Sequence, residues 1–96
     1  MTLTLLTRAY CHLCDEMLHE AARAAQANGI ALEVIDVDTR ADLVAQWDTL
    51  VPVLFAGPVE RDNELCHYHF DGPRVNGAIA ALRAGRPAVA APSQIG

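Results

Sequence analysis

Two strand-like runs flank one helix-like run at the start of the chain, and this arrangement limits the possible folds more than any other feature. Thr2-Leu3-Thr4-Leu5-Leu6-Thr7 is rich in Leu and Thr and reads as a central strand. Over residues 12 to 27, Leu13, Met17, Leu18, Ala21, Ala24 and Ala25 recur at spacings of three and four, so a helix here carries one apolar stripe. Asp15 and Glu16 suit its first turn, where the helix dipole favours anions, and Asn28-Gly29 supplies the stop. Ile30 to Val37 is apolar and β-branched, a second strand. A β-α-β unit requires a parallel pair with a right-handed crossover.

Downstream, Asp38-Thr39 is expected to start a short helix running to about Trp47, with Thr39-x-x-Asp42 resembling a capping box. Val51 to Phe55 reads as a third strand with Pro52 at its head. Gly57-Pro58 and Arg61-Asp62-Asn63 are turn material. Glu64 to Phe70 reads as a fourth strand, paired to the third as a hairpin. Strict alternation puts Leu65, His67 and His69 on one face and Cys66, Tyr68 and Phe70 on the other. Asp71 is placed to cap a last helix whose buried stripe is Val75, Ile79 and Leu82, and Gly85-Arg86-Pro87 ends it. The order is β-α-β-α-β-β-α: an α/β chain with a four-stranded mixed sheet and helices on both faces. One domain is expected over residues 1–86, with 87–96 as a loose C-terminal tail.

With 52% hydrophobic and 20% charged residues, the composition is that of an ordinary soluble globule. The formal charge is -5 and there is no Lys/Arg run, which argues against nucleic acid or an anionic membrane as partner. No apolar stretch approaches the ~20 residues that span a bilayer, and the N-terminus lacks the pattern of a signal peptide. The expected setting is the cytoplasm, as a monomer. Three cysteines suit a redox or metal-binding pair with one spare thiol better than a disulfide framework.

The pair is Cys11-His12-Leu13-Cys14, at the junction of the first strand and first helix. Cys11 sits where a helix N-terminus favours a thiolate, and Arg8 can add positive charge. Such surroundings put a thiol pKa at roughly 3.5–7.5. Cys11 is therefore the expected nucleophile and Cys14, one turn on, the resolving thiol. Asp15 and Glu16 oppose this, since nearby anions raise a thiol pKa. The competing reading is a metal site. A four-ligand zinc site needs more than one pair, and Cys66, His67 and His69 are the residues that can complete it. His12 either stabilises the thiolate when protonated or is a solvated first-turn residue. Tyr10 either walls the site or packs at the strand end. His19 is expected at the surface, Trp47 in the core or against a helix, and Cys66 as a small core residue.

Arg8-Ala9-Tyr10-Cys11-His12-Leu13-Cys14 together with Val51-Pro52 resembles the glutaredoxin-like proteins of the thioredoxin-fold superfamily, over residues 1 to about 85. The resemblance implies a thiol–disulfide oxidoreductase with a potential of about -200 to -270 mV. It implies a cis Pro52 facing the cysteine pair, and a Val51 backbone that pairs with an extended substrate. It also implies a disulfide-containing protein or small molecule as substrate, glutathione or a thioredoxin reductase-type enzyme as electron donor, and no tightly bound cofactor or metal. Glutathione-using members usually have Thr-Val-Pro and a Gly-Gly turn followed by an acidic residue. Here these places read Leu50-Val51-Pro52 and His69-Phe70-Asp71-Gly72, so only Asp71 matches the γ-glutamyl contact, and Phe70 stands in space glutathione would need. Arg40 is a further candidate for a peptide carboxylate. Two other functions stay in view: a non-catalytic module binding an extended partner beside Pro52, and a carrier of metal or an Fe–S cluster through Cys11 and Cys14.

Overall fold

The computed structural model describes residues 1–89 of the 96. Its elements are β1 (Thr2–Thr7), α1 (His12–Asn28), β2 (Ala31–Asp36), α2 (Ala41–Trp47), β3 (Val53–Ala56), β4 (Glu64–His67) and α3 (Gly72–Arg83), with short 3-10 turns at Val37–Thr39 and Arg61–Asn63. The sheet order is β2-β1-β3-β4. β1 runs parallel to β2 and antiparallel to β3, and β3 pairs antiparallel with β4.

β1 is central because its side chains are apolar on both faces. Leu3 and Leu5 pack under α1 and α3, with Met17, Ala21, Leu54, Val75 and Ile79. Leu6 points to the opposite face, where α2 closes a second cluster of Val37, Leu43, Trp47, Val53 and Phe55. There the Trp47 and Phe55 rings meet edge to face at 5.0 Å, a geometry worth about 0.5–1.5 kcal/mol beyond burial. Thr4, the one polar buried residue of β1, donates its hydroxyl to the Gly57 carbonyl at 2.7 Å. Helix α1 stops as its sequence demands: Gly29 takes φ 66° and the Ile30 N–H returns to the Ala25 carbonyl at 3.0 Å.

Five expectations need correction. The Thr39 capping box does not form. Thr39 Oγ1 instead donates to the Asp36 carbonyl and Asp36 Oδ1 accepts from the Asp38 N–H, which winds a 3-10 turn and delays α2 to Ala41. β3 begins at Val53, since Pro52 has no N–H for the ladder. β4 ends at His67 because Tyr68 adopts φ 63°, which turns the chain out of the sheet. A register shift opposite Leu54/Phe55 also breaks the alternation, so Leu65 and Cys66 both lean on the α1–α3 core. Finally, Leu82 lies outside the α3 stripe, which is Val75, Ala78 and Ile79. Of the tail, Ala88 and Val89 are half-buried against the core, and residues 90–96 lie outside the described residues.

Replacing Leu5 or Phe55 by Ala is expected to cost about 2–5 kcal/mol in denaturant unfolding, because each leaves a cavity in a core the fold shares between two layers. Leu82→Ala is expected to stay within about 0.5 kcal/mol, as an exposed helix position.

Candidate functional site

The register of the sheet decides which loops meet. Leu6 near the end of β1 lies opposite Val53 at the start of β3, and Val53 lies opposite His67 at the end of β4. The loop 8–11, the Val51–Pro52 pair and the Tyr68–Phe70 segment therefore emerge at one end of the sheet, where α1 begins. The Tyr68 N–H bonds the Pro52 carbonyl at 2.9 Å and the Tyr68 hydroxyl bonds the Thr49 carbonyl at 2.5 Å. The Val51–Pro52 peptide bond is cis.

Cys11 and Cys14 are joined as a disulfide, with Cα atoms 5.1 Å apart. Cys11 is the N-cap of α1: its backbone is extended (φ -116°, ψ 107°) and its sulfur accepts the Cys14 N–H at 3.2 Å. Sulfur thus takes the place that a Ser or Asp oxygen usually holds, at the positive end of a 17-residue helix. A thiolate at this atom is stabilised by the same N–H and the same dipole. Cys11 is half-buried, whereas Cys14 is only 2% exposed, so an external disulfide reaches Cys11 first.

The neighbours of the pair differ from expectation in instructive ways. Arg8 does not stand free to charge the thiolate. Its Nε and Nη2 donate to Asp38 at 2.9 Å each, and Nη2 also reaches Asp48 Oδ1 at 2.5 Å. Arg8 thereby ties the cysteine loop to the turn after β2 and to the segment that leads into Val51. The Asp38 carboxyl is held below its ordinary range by this guanidinium. His12 is exposed and pairs with Glu16 at 3.1 Å, while Asp15 and Glu16 both face solvent. Tyr10 packs against nothing: it is fully exposed, at φ 56°, a conformation few non-glycine residues hold without local strain.

Asp71 belongs elsewhere. Its Oδ1 caps α3 by accepting the Arg74 N–H at 3.1 Å. It lines a cavity of about 980 Å³ outside β4, with Cys66 and Arg74, and not the cleft beside α1. Arg40 is likewise engaged, with Asp42 at 2.6 Å. His67 bonds Glu64 at 2.7 Å and His69 is exposed. Among the described residues no three Cys, His, Asp or Glu side chains gather as a metal site, so Cys66, His67 and His69 do not complete one with the pair. Burial pushes the Cys66 thiol up, away from reactivity. Tyr68 is the contributor that sequence patterning missed. An aromatic in an apolar run looks like one more strand residue, and no local signal marks its left-handed backbone.

With this geometry in view, a family model described as Glutaredoxin-like domain (DUF836) matches residues 2–80. No curated protein sequence matches the chain. Among solved structures, protein Ne2328 from Nitrosomonas europaea is 39% identical, with 75% of this chain and 82% of that chain covered and a TM-score of 0.62. Target protein XcR50 from X. campestris is also 39% identical, covering 85% and 96%, with a TM-score of 0.58. Thioredoxin 1 from Thermosipho africanus TCF52B shares the fold at 21% identity, covering 88% and 93%, with a TM-score of 0.54. No helix among the described residues is long and apolar enough to cross a membrane.

Arg8→Ala is expected to speed amide hydrogen exchange at residues 48–51 while barely moving the global unfolding midpoint, because the ion pairs are partly solvated and screened. The sign with pH is fixed by the lowered Asp38 value. The tether is complete above the ordinary carboxylate pKa of about 3.9 and is lost as pH falls through the lower folded value. The exchange difference between wild type and Arg8→Ala should hold from pH 7 to 5 and close only in stronger acid.

Proposed function

The chain belongs to the glutaredoxin-like domain family, and on that premise we propose that it is a thiol–disulfide oxidoreductase cycling Cys11 and Cys14 between dithiol and disulfide. The observation that carries this reading is the Cys11 sulfur at the N-cap of α1, hydrogen-bonded by the Cys14 N–H and bonded to the buried Cys14. In the reduced protein the Cys11 thiolate attacks one sulfur of a substrate disulfide. A Cys11–substrate mixed disulfide forms, and the substrate's other sulfur leaves as a thiolate that takes up a proton. The Cys14 thiol then loses its proton and attacks Cys11 Sγ. This closes the Cys11–Cys14 disulfide and releases the second substrate thiol. Two electrons pass to the substrate, and two thiol equivalents from a donor return the pair to its dithiol form.

Several parts of this reading go beyond the family. The substrate is a disulfide-containing protein or small molecule. The donor is glutathione or a thioredoxin reductase-type enzyme, with no tightly bound cofactor. Val51 and Pro52 border the place where the substrate chain lies, and the protein works as a cytoplasmic monomer. Support for the binding role of Val51 comes from its main chain, which has no backbone hydrogen bond to another described residue. Asp71 drops out of the substrate contacts, since it caps α3.

Reduction of the neutral 2-hydroxyethyl disulfide tests the proposal. Cys11→Ser is expected to lose at least about 99% of the rate, because the attacking thiolate is gone. Cys14→Ser is expected to accumulate the mixed disulfide at Cys11, visible as a mass increment. Cys66→Ser should leave the rate within about twofold, as a thiol of raised pKa away from the pair. In the reduced protein, pH-dependent alkylation of Cys11 should show a midpoint below the ordinary value of about 8.5, and Cys66 one above it. Wild-type turnover by Cys11→Ser would rule out Cys11 as the nucleophile, and an ordinary Cys11 midpoint near 8.5 would favour the non-catalytic binding module.

A further inference from the structure

The cleft that adjoins the redox pair has a charge character that selects among substrates. It is open, measures about 640 Å³, and runs between the first two turns of α1 and the Tyr68–Phe70 segment. It begins one residue past Cys14 and ends at Tyr68, whose N–H bonds Pro52. Tyr68 and Phe70 give it apolar surface above the buried Met17, and Asp15, Glu16 and Glu20 line it. Of these only Glu16 has a basic partner, His12 at 3.1 Å.

Among the described residues no arginine, Arg23 one turn past Glu20 included, forms an ion pair with those carboxylates. The chain contains no lysine, and its seven cationic residues are all arginines. Arg8 is held by Asp38 and Asp48, Arg40 by Asp42, and Arg83 donates to the Asn28 carbonyl. Arg61 and Arg74 line the cavity outside β4. None of the seven lines the cleft, where the only basic side chains are the imidazoles of His19 and His69.

We infer that this cleft receives an extended polypeptide carrying Lys or Arg side chains beside the cysteine that exchanges with Cys11, and that it disfavours glutathione. The inference rests on the reading of Cys11–Cys14 as the redox pair. Glutathione has a net negative charge, two carboxylates against one ammonium, and no arginine lines the cleft to meet the carboxylates. A basic segment meets three carboxylates, two of them without a basic partner among the described residues, while its uncharged stems cover Tyr68 and Phe70. Its main chain has the unpaired Val51 N–H and C=O to bond. Because the carboxylates are exposed, the attraction acts through solvent and fades with salt.

The test measures binding and turnover separately. Two labelled peptides of equal length carry Lys or Glu on both sides of a central serine, and fluorescence anisotropy reads their affinity for the oxidised protein. The Lys peptide is expected to bind at least about tenfold tighter than the Glu peptide at low salt, falling below about threefold at high salt as screening shortens to roughly 3 Å. The triple variant Asp15→Asn, Glu16→Gln, Glu20→Gln is expected to abolish the preference. The salt titration of the unaltered chain reads the same charge without any substitution. Equal binding of the two peptides, or a preference that survives both salt and the triple variant, overturns the inference. In the turnover arm, the disulfide of the Lys peptide's cysteine form is expected to be reduced about tenfold faster than glutathione disulfide at low salt, and equal rates overturn the inference. Reduction of the neutral 2-hydroxyethyl disulfide without any peptide preference removes the cleft's selectivity and leaves the redox function standing. A salt-sensitive Lys preference in a protein that reduces no disulfide removes the redox function and leaves the cleft as a binding site.

Discussion

Everything at the site depends on β1 being buried on both faces. Leu3 and Leu5 commit one face to α1 and α3, and Leu6 commits the other to α2. A strand locked in that way has a fixed register with both neighbours. Its C-terminal end must then lie beside the start of β3, and the cysteine loop cannot leave the neighbourhood of Pro52. The chemistry is positioned by hydrophobic packing that contains none of the reacting atoms.

On that platform the Cys11 sulfur, the nucleophile of the proposed reaction, uses ordinary helix capping. The first N–H groups of a helix need acceptors, and α1 takes one from Cys11. One hydrogen bond thus serves both stability and reactivity: it ends the helix and stabilises negative charge on the sulfur. Arg8 acts at a further remove. Paired to Asp38 and Asp48, it ties the cysteine loop to the segments that frame the pair.

The sequence revealed most of this where local and global signals agree. The 3.6-residue stripe of α1 and the Asp71 cap recur in the structure because local preference and surroundings agree, and the β-branched run of β2 forms its strand by pairing with β1 although Val34 stays exposed. The cysteine motif placed its own disulfide. Legibility failed where a competing or distant partner decides. Thr39 and Asp42 fit a capping box, but the Asp36 carbonyl takes the Thr39 hydroxyl and Arg40 takes the Asp42 carboxylate. Arg8 beside a cysteine suggests a thiolate partner until Asp38 and Asp48, thirty and forty residues away, are seen around it. Tyr68 has the side chain of a strand residue and the backbone of a turn. The first is a contest between local options inside one seven-residue window, and the other two are not written in a short window of sequence.

The central claim is that Cys11 and Cys14 form one two-electron couple, with Cys66 outside it. Equilibrating the protein across a series of dithiothreitol poises, trapping thiols by alkylation and mapping them by mass tests this directly. The account predicts a single transition between about -200 and -270 mV with a slope near 29.6 mV per decade, the two cysteines changing together and Cys66 remaining a free thiol throughout. A pair that does not interconvert in that range, or a transition that consumes Cys66, would contradict it.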